Sequence, residues 1–248
     1  MCAMLSVNLN AVAHLRNRRN IGWPDVVDYG RKTLSAGAKG LTIHPRPDER
    51  HIRHEDVGKL KILFEDEAFR GCEYNIEGYP DQRFMDLIRT HKPHQVTFVP
   101  DSPEQSTSDH GWDFTQHHSL LQDVVKEAQN LGIRTALFLD PLPSSCDAAA
   151  KTGAERIEIY TGLFGAITPP QKAVTQAEAI ITTQRAAMQN GLGVNAGHDL
   201  TLENMPFLAI KGAVFDEVSI GHAFWSDAWI WGIEATVQHY IQASQQLV

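Results

Sequence analysis

Short apolar runs in this chain end repeatedly in groups that can move protons or hold anions. His44-Pro45-Arg46 closes one run, with Arg50 and His51 just beyond, and Asn75 and Glu77 close the next. Asn8 and Asn10 end the first run, ahead of Arg16, Arg18 and Arg19. Glu158 lies inside a run that leads into Thr161-Gly162, Asn195 precedes Gly197-His198-Asp199, and Gly221-His222 ends the last run. Histidine and glutamate with tuned pKa values are what proton shuttling beside a carbonyl needs. Arginines and glycine-bordered backbone N–H groups bind phosphate. Taken singly, each has an ordinary structural reading: a strand-end histidine is more often a hydrogen-bonded structural group, and Arg16 and Arg18 read as surface residues. Glu158 is harder to set aside, because a buried carboxylate is costly unless paired or functional.

These groups need a scaffold that brings distant strand ends together. The apolar runs are Met4–Leu9, Gly40–His44, Cys72–Ile76, Gln95–Val99, Arg134–Leu139, Arg156–Tyr160, Leu192–Ala196 and Glu217–Ile220, rich in Val, Ile, Leu and Phe as strands buried on both faces are. Amphipathic segments lie between them: Val26–Ser35, Asp56–Glu67, Asp81–His91, Ser119–Asn130, Ser144–Thr152, Gln171–Asn190, Leu202–Ile210 and a long closing helix, Ala223–Gln245. Alternation of strand and helix means βαβ units and a parallel sheet. Eight such units in 248 residues predict a single α/β domain over residues 1–248, a (β/α)8 TIM barrel with extra helices. In that fold the site is built at the C-terminal ends of the strands, and the turns after the seventh and eighth strands are the usual phosphate corner. The long connection Pro100–His117 is a candidate functional loop.

Composition removes other classes. A net charge of −8 argues against a protein that binds nucleic acid by neutralising phosphates. Cys2, Cys72 and Cys146, an odd number at irregular spacing, fit neither a disulfide framework nor a zinc motif and suit a reducing cytoplasm. The start, MCAMLSVNLN, lacks a basic stretch followed by an apolar one, so no signal peptide is expected. No apolar run approaches the roughly 20 residues that span a bilayer. A metal site is the main rival chemistry; it requires His44, Glu77 and His198 to converge within bonding distance, and the sequence has no HxH or HExxH spacing. His91, His94, His117, His118 and His239 look peripheral.

At these same residues the chain resembles the pyridoxine 5'-phosphate synthase family of vitamin B6 biosynthesis. The resemblance is carried by SVNLNAVAHLRNRR (Ser6–Arg19), GLTIHPRPDERHI (Gly40–Ile52), NIEGYP (Asn75–Pro80), VTFVPD (Val96–Asp101) with the Thr107 loop, IEIYTG (Ile157–Gly162), GVNAGHDLT (Gly193–Thr201) and SIGHA (Ser219–Ala223), in order across nearly the whole chain. It implies condensation of 1-deoxy-D-xylulose 5-phosphate with 3-amino-2-oxopropyl phosphate to pyridoxine 5'-phosphate, phosphate and water. It also implies a homo-octamer with no organic cofactor and no catalytic metal. On the matching positions, His44 and Glu77 are the expected proton acceptors, His198 the proton donor and Glu158 the transition-state stabiliser. Asn8, Arg19, Asp199, Gly221 and His222 are expected to hold the aminoketone phosphate, and Arg46, His51 and Thr107 the deoxyxylulose phosphate.

The chain departs from the family pattern in three places. The family reads Asn-x-Asp-His after the first strand where this chain has Asn8-Leu9-Asn10-Ala11, and it has Gly after the donor histidine where this chain has Asp199. These changes bear on substrate binding more than on reaction class. They also keep two other readings open: another phosphosugar barrel enzyme, such as an aldolase or epimerase, and a non-catalytic barrel that binds a phosphorylated metabolite. Retention of His44, Glu77 and His198 together argues against the last.

Overall fold

Eight parallel strands close on themselves in chain order in a computed structural model that describes residues 2–19, 21–101, 105, 107–166 and 170–247. The strands are β1 (Met4–Asn8), β2 (Gly40–Ile43), β3 (Glu73–Gly78), β4 (Gln95–Phe98), β5 (Arg134–Leu139), β6 (Arg156–Tyr160), β7 (Gly193–Gly197) and β8 (Glu217–Ile220). β1 pairs with both β2 and β8, so the barrel has no open edge. Helices α1 (Asn10–Asn17), α2 (Val26–Ser35), α3 (His54–Lys61), α4 (Gln82–His91), α5 (Phe114–Asn130), α6 (Cys146–Lys151), α7 (Gly162–Gly165), α8 (Pro170–Gln189), α9 (Met205–Ile210), α10 (His222–Trp231) and α11 (Ile233–Ser244) fill the connections.

Strand alternation sorts the residues into two layers. One set, including Leu5, Val7, Leu41, Ile43, Ile76, Val96, Leu137, Ile157, Val194 and Val218, is buried in the apolar cluster shared with the helices. The other set faces inward and is largely polar, whereas such barrels are usually filled by branched apolar side chains. Ser6 and Thr42 share a 2.8 Å hydrogen bond, Asn75 donates to Thr42 and Thr97 donates to Asn75, linking β1 to β4. At the N-terminal end, Gln95 and Asn195 donate to Glu217, Arg134 donates to Gln95 and pairs with Glu73, and Arg156 donates to Asn195. This buried network joins partners on different strands, with Glu73 Oε1 the one oxygen of that glutamate left without a hydrogen bond among the described residues, and it fixes strand stagger beneath the site.

The structure revises several sequence expectations. The segment after β1 is a helix, α1, because its apolar Val12 and Ala13 bury against the barrel although Leu9 offers no side-chain cap. Arg16 is not a surface residue: it is buried, and its guanidinium grips both oxygens of Asp56 at 2.7 and 2.9 Å and the His51 carbonyl at 3.1 Å. It therefore ties α1 to α3. Arg18 is exposed, as expected. The expected closing helix is two helices, broken at Gly232, whose φ of 80° and ψ of 160° suit glycine almost alone. Gly232→Ala is accordingly expected to lower stability by about 1–3 kcal/mol in denaturant titration while leaving turnover unchanged, since the break lies away from the strand ends.

Candidate active site

At the C-terminal ends of the strands lies a cup of about 300 Å³. The end of β1 stitches its neighbours together. Asn8 Oδ1 accepts the Asn10 N–H at 2.9 Å, and Asn10 Oδ1 accepts the His44 N–H at 2.9 Å. The Asn8 amide reaches Glu77 Oε2 at 3.5 Å, and the Asn8 carbonyl accepts from the Trp225 indole at 2.8 Å, which seats α10 behind it. His44 Nδ1 then stands 3.9 Å from Glu77 Oε2 and 4.0 Å from Asp101 Oδ2.

His198 follows β7 with φ of 80°, and Asp199 follows with φ of 55°. Two successive non-glycine residues in the left-handed region store strain of a kind that concentrates at functional sites. The Thr161 hydroxyl lies 2.6 Å from the carbonyls of both Gly197 and His198, which holds this turn. The His198 ring packs against Phe138 and edge-on to Tyr160, and its Nδ1 has no hydrogen-bond partner among the described residues. Glu158 lies under the same turn, fully buried, with neither carboxylate oxygen hydrogen-bonded among the described residues. Gly197 is the reason it fits: a Cβ there would collide with Glu158 Oε1.

Burial sets the protonation states. It holds the His198 imidazole down to about 4, and burial with the Arg46 and Arg50 charges brings His51 to about 4. His44 is held well below the ordinary imidazole value by burial and by the Arg46 charge. Burial and the neighbouring Glu158, Asp101 and Glu217 push Glu77 well above the carboxylate range, and burial raises Glu158 to about 7. Before substrate binds, burial thus favours the uncharged forms of His44, His51, His198 and Glu77. His51 Nδ1 accepts the Ile52 N–H at 3.0 Å, so its proton sits on Nε2 as a donor.

Of the expected residues, His44, Glu77, His198, Asn8, Arg46, His51, Thr107, Asp199, Gly221 and His222 all line the cup. Glu158 lies beneath it. Arg19 is not brought in: it is exposed and borders a separate hollow with Leu15, Ile21, Trp23 and Tyr29. Sequence reading passed over His14, Ser108 and Ser219, which also line the cup, and Asp101, which pairs with Arg46. His14 lies one helical turn after Ala11, a spacing legible only once α1 is known to be a helix. Gly221 precedes α10 and offers no side-chain cap, so the first N–H groups of that helix, which have no intrahelical partner, begin at the wall of the cup.

Comparison with known proteins places the chain beside one group. Residues 5–246 match the family described as pyridoxal phosphate biosynthesis protein PdxJ. The chain is 49% identical over 244 residues to a pyridoxine 5'-phosphate synthase of Brucella anthropi, covering 98% of this chain and 99% of that one, and equally to one of Brucella abortus. Among solved structures, an Aquifex aeolicus protein aligns with a TM-score of 0.64 at 16% identity, covering 99% of this chain and 93% of that one. The YdjI aldolase of Escherichia coli aligns at 0.62 and 11% identity, covering 99% and 90%. These two likenesses show the barrel fold alone.

Proposed function

The chain belongs to the PdxJ family and is an enzyme of pyridoxine 5'-phosphate synthesis, and from that premise we propose that the strand-end cup is where two phosphorylated substrates are joined. The substrates are 1-deoxy-D-xylulose 5-phosphate and 3-amino-2-oxopropyl phosphate. The observation that carries this reading is the placing of His44, Glu77 and His198, from three separate strand ends, around one cavity that also holds Arg46 and the start of α10.

The aminoketone phosphate sits against the β7–β8 corner, on Asn8, Asp199, Gly221 and His222, with α10 aiming unpaired N–H groups at its anion. Arg19 joins this set only if its exposed stretch swings over the cup. The deoxyxylulose phosphate sits on Arg46, His51 and Thr107. An arriving phosphate brings negative charge, which favours the protonated form of nearby imidazoles. Binding thereby turns His198 from a neutral ring into a donor. An amine that attacks a ketone must first lose a proton, and His44 accepts it; Glu77, 3.9 Å away, serves as the second acceptor once its own proton has passed to the substrate or to solvent. Glu158, under the Gly197 turn, supplies negative charge to cationic intermediates. No organic cofactor and no metal take part in this reading.

The same domain acts as a homo-oligomer, an octamer as the family resemblance implies, in the cytoplasm. The exposed Trp229, Ile230 and Ile210 offer apolar surface suited to self-association. Among the described residues no helix is long and apolar enough to cross a membrane.

The test is to incubate the purified protein with both substrates after exhaustive chelation. Pyridoxine 5'-phosphate and equimolar released phosphate are expected, at the rate seen without chelator. No product from the two substrates together, or a rate abolished by chelation and restored by one divalent ion, overturns the reading.

A further inference from the structure

Asp101 enters the chain just after β4, and it is buried. Its Oδ2 accepts from the Arg46 guanidinium and from Ser108 Oγ at 2.7 Å, and lies 4.0 Å from His44 Nδ1. Its Oδ1 is buried with no hydrogen-bond partner among the described residues. One carboxylate thus binds a cation of the substrate cup and Ser108, the neighbour of Thr107, and stands 4.0 Å from an acid–base group. Arg46 also reaches the chain ahead of Ser108, donating to the Gln105 carbonyl at 3.2 Å.

His44 Nδ1 stands about equally far from two carboxylates that are not equivalent, 3.9 Å from Glu77 and 4.0 Å from Asp101. Burial raises both carboxyls, but Asp101 less than Glu77: Glu77 has only an amide at 3.5 Å, whereas the Ser108 hydroxyl and the Arg46 guanidinium partly offset the burial of Asp101 and favour its charged form. A charged group on one side of an imidazole fixes its orientation and stabilises its protonated form.

We propose that Asp101 is the positioning residue of the acid–base centre: it orients the His44 ring and the Arg46 guanidinium together and, through Ser108, sets both in register with Thr107 on the wall of the cup. This rests on the site reading above. Asp101 acts through its neighbours and does not itself touch the reacting atoms. The groups that face His44 are Glu77, Asp101, Arg46, Arg83, His51 and His198, so the loss of one carboxylate alters a known set of charges.

Asp101→Asn keeps the shape and removes the charge. It is expected to lower kcat at least about tenfold, as misplacement of a reacting group does, with KM for the aminoketone phosphate within about twofold of the parent. Loss of the negative neighbour disfavours protonated His44, so the acid limb of the kcat/KM profile should move to lower pH. Asp101→Glu should recover part of the lost rate. Parent-like kcat in the folded Asn variant overturns the proposal, as does a loss wholly accounted for by a smaller folded fraction with the acid limb unmoved. A parent protein that forms no product refutes the site reading instead. His44 titration followed by NMR in parent and Asn variant then still decides the role of Asp101, since an unchanged His44 pKa would refute it.

Discussion

His44→Ala, Glu77→Gln and His198→Ala are each expected to lower kcat by at least about 100-fold, because positioned general acids and bases typically contribute 100- to 10,000-fold. The reaction joins an amine to a ketone, expels phosphate and water and closes a ring, so protons move in both directions at one site. A single side chain cannot serve both faces of an intermediate. The cup answers with His44 and Glu77, 3.9 Å apart, on one side and His198 on another strand end. Phosphate anchoring comes mainly from other groups, so KM should change much less than kcat. A purely structural role predicts a different pattern: a lower melting temperature with turnover per folded molecule preserved. Steady-state kinetics beside thermal melts separate the two. Near-normal kcat in any folded variant removes that residue from the mechanism, and near-normal kcat in all three refutes the mechanism.

Glu158→Gln should stabilise the protein and impair it. Burial raises the Glu158 carboxyl from the ordinary 4.5 to about 7. A raised carboxylate binds its proton more tightly in the folded state, so the ionised form opposes folding. The penalty is absent below the unfolded value, grows as pH rises from about 4.5 to 7, and is complete above 7. At roughly 1.4 kcal/mol per unit, the full penalty is roughly 3 kcal/mol. Gln fills the same space without charge, so the variant should gain about that much at pH 8 and progressively less toward pH 4.5 in denaturant titrations. Activity should fall about 100- to 1,000-fold, the cost of removing an electrostatic stabiliser from a buried site. A variant no more stable than the parent at pH 8 would refute the burial penalty on the Glu158 charge. A variant with parent turnover would show that this charge does not serve the reaction.

The eight strands were legible because each is an apolar run bounded by charged helical sequence, and their starts agree with the structure to within one residue. Helices were legible where a stripe and a boundary coincided: Val26–Ser35 agrees at both ends, and Asp81 caps α4 by accepting the Phe84 N–H. Helix α1 was missed because its N-cap position holds Leu9, which offers no capping side chain, while Asn8 satisfies the Asn10 N–H from one residue earlier and the rest of the helix is held by tertiary burial. The break at Gly232 was missed because glycine in an apolar stripe does not announce its own φ. Arg16 was misplaced for a similar reason: its partner, Asp56, lies 40 residues away.

The sequence by itself determined the architecture and the chemical kinds of group at the strand ends, since both follow from residue type and local periodicity. It put His44, Glu77, His198 and Glu158 where closure of a barrel would use them. Only the tertiary structure decided which of these groups share a cavity, that Arg19 stands outside it and that Asp101 stands inside the circle of His44 and Arg46. It alone decided their protonation as well. A pKa shift is set by desolvation and through-space charge, and both depend on neighbours that the chain supplies from strands far apart in sequence.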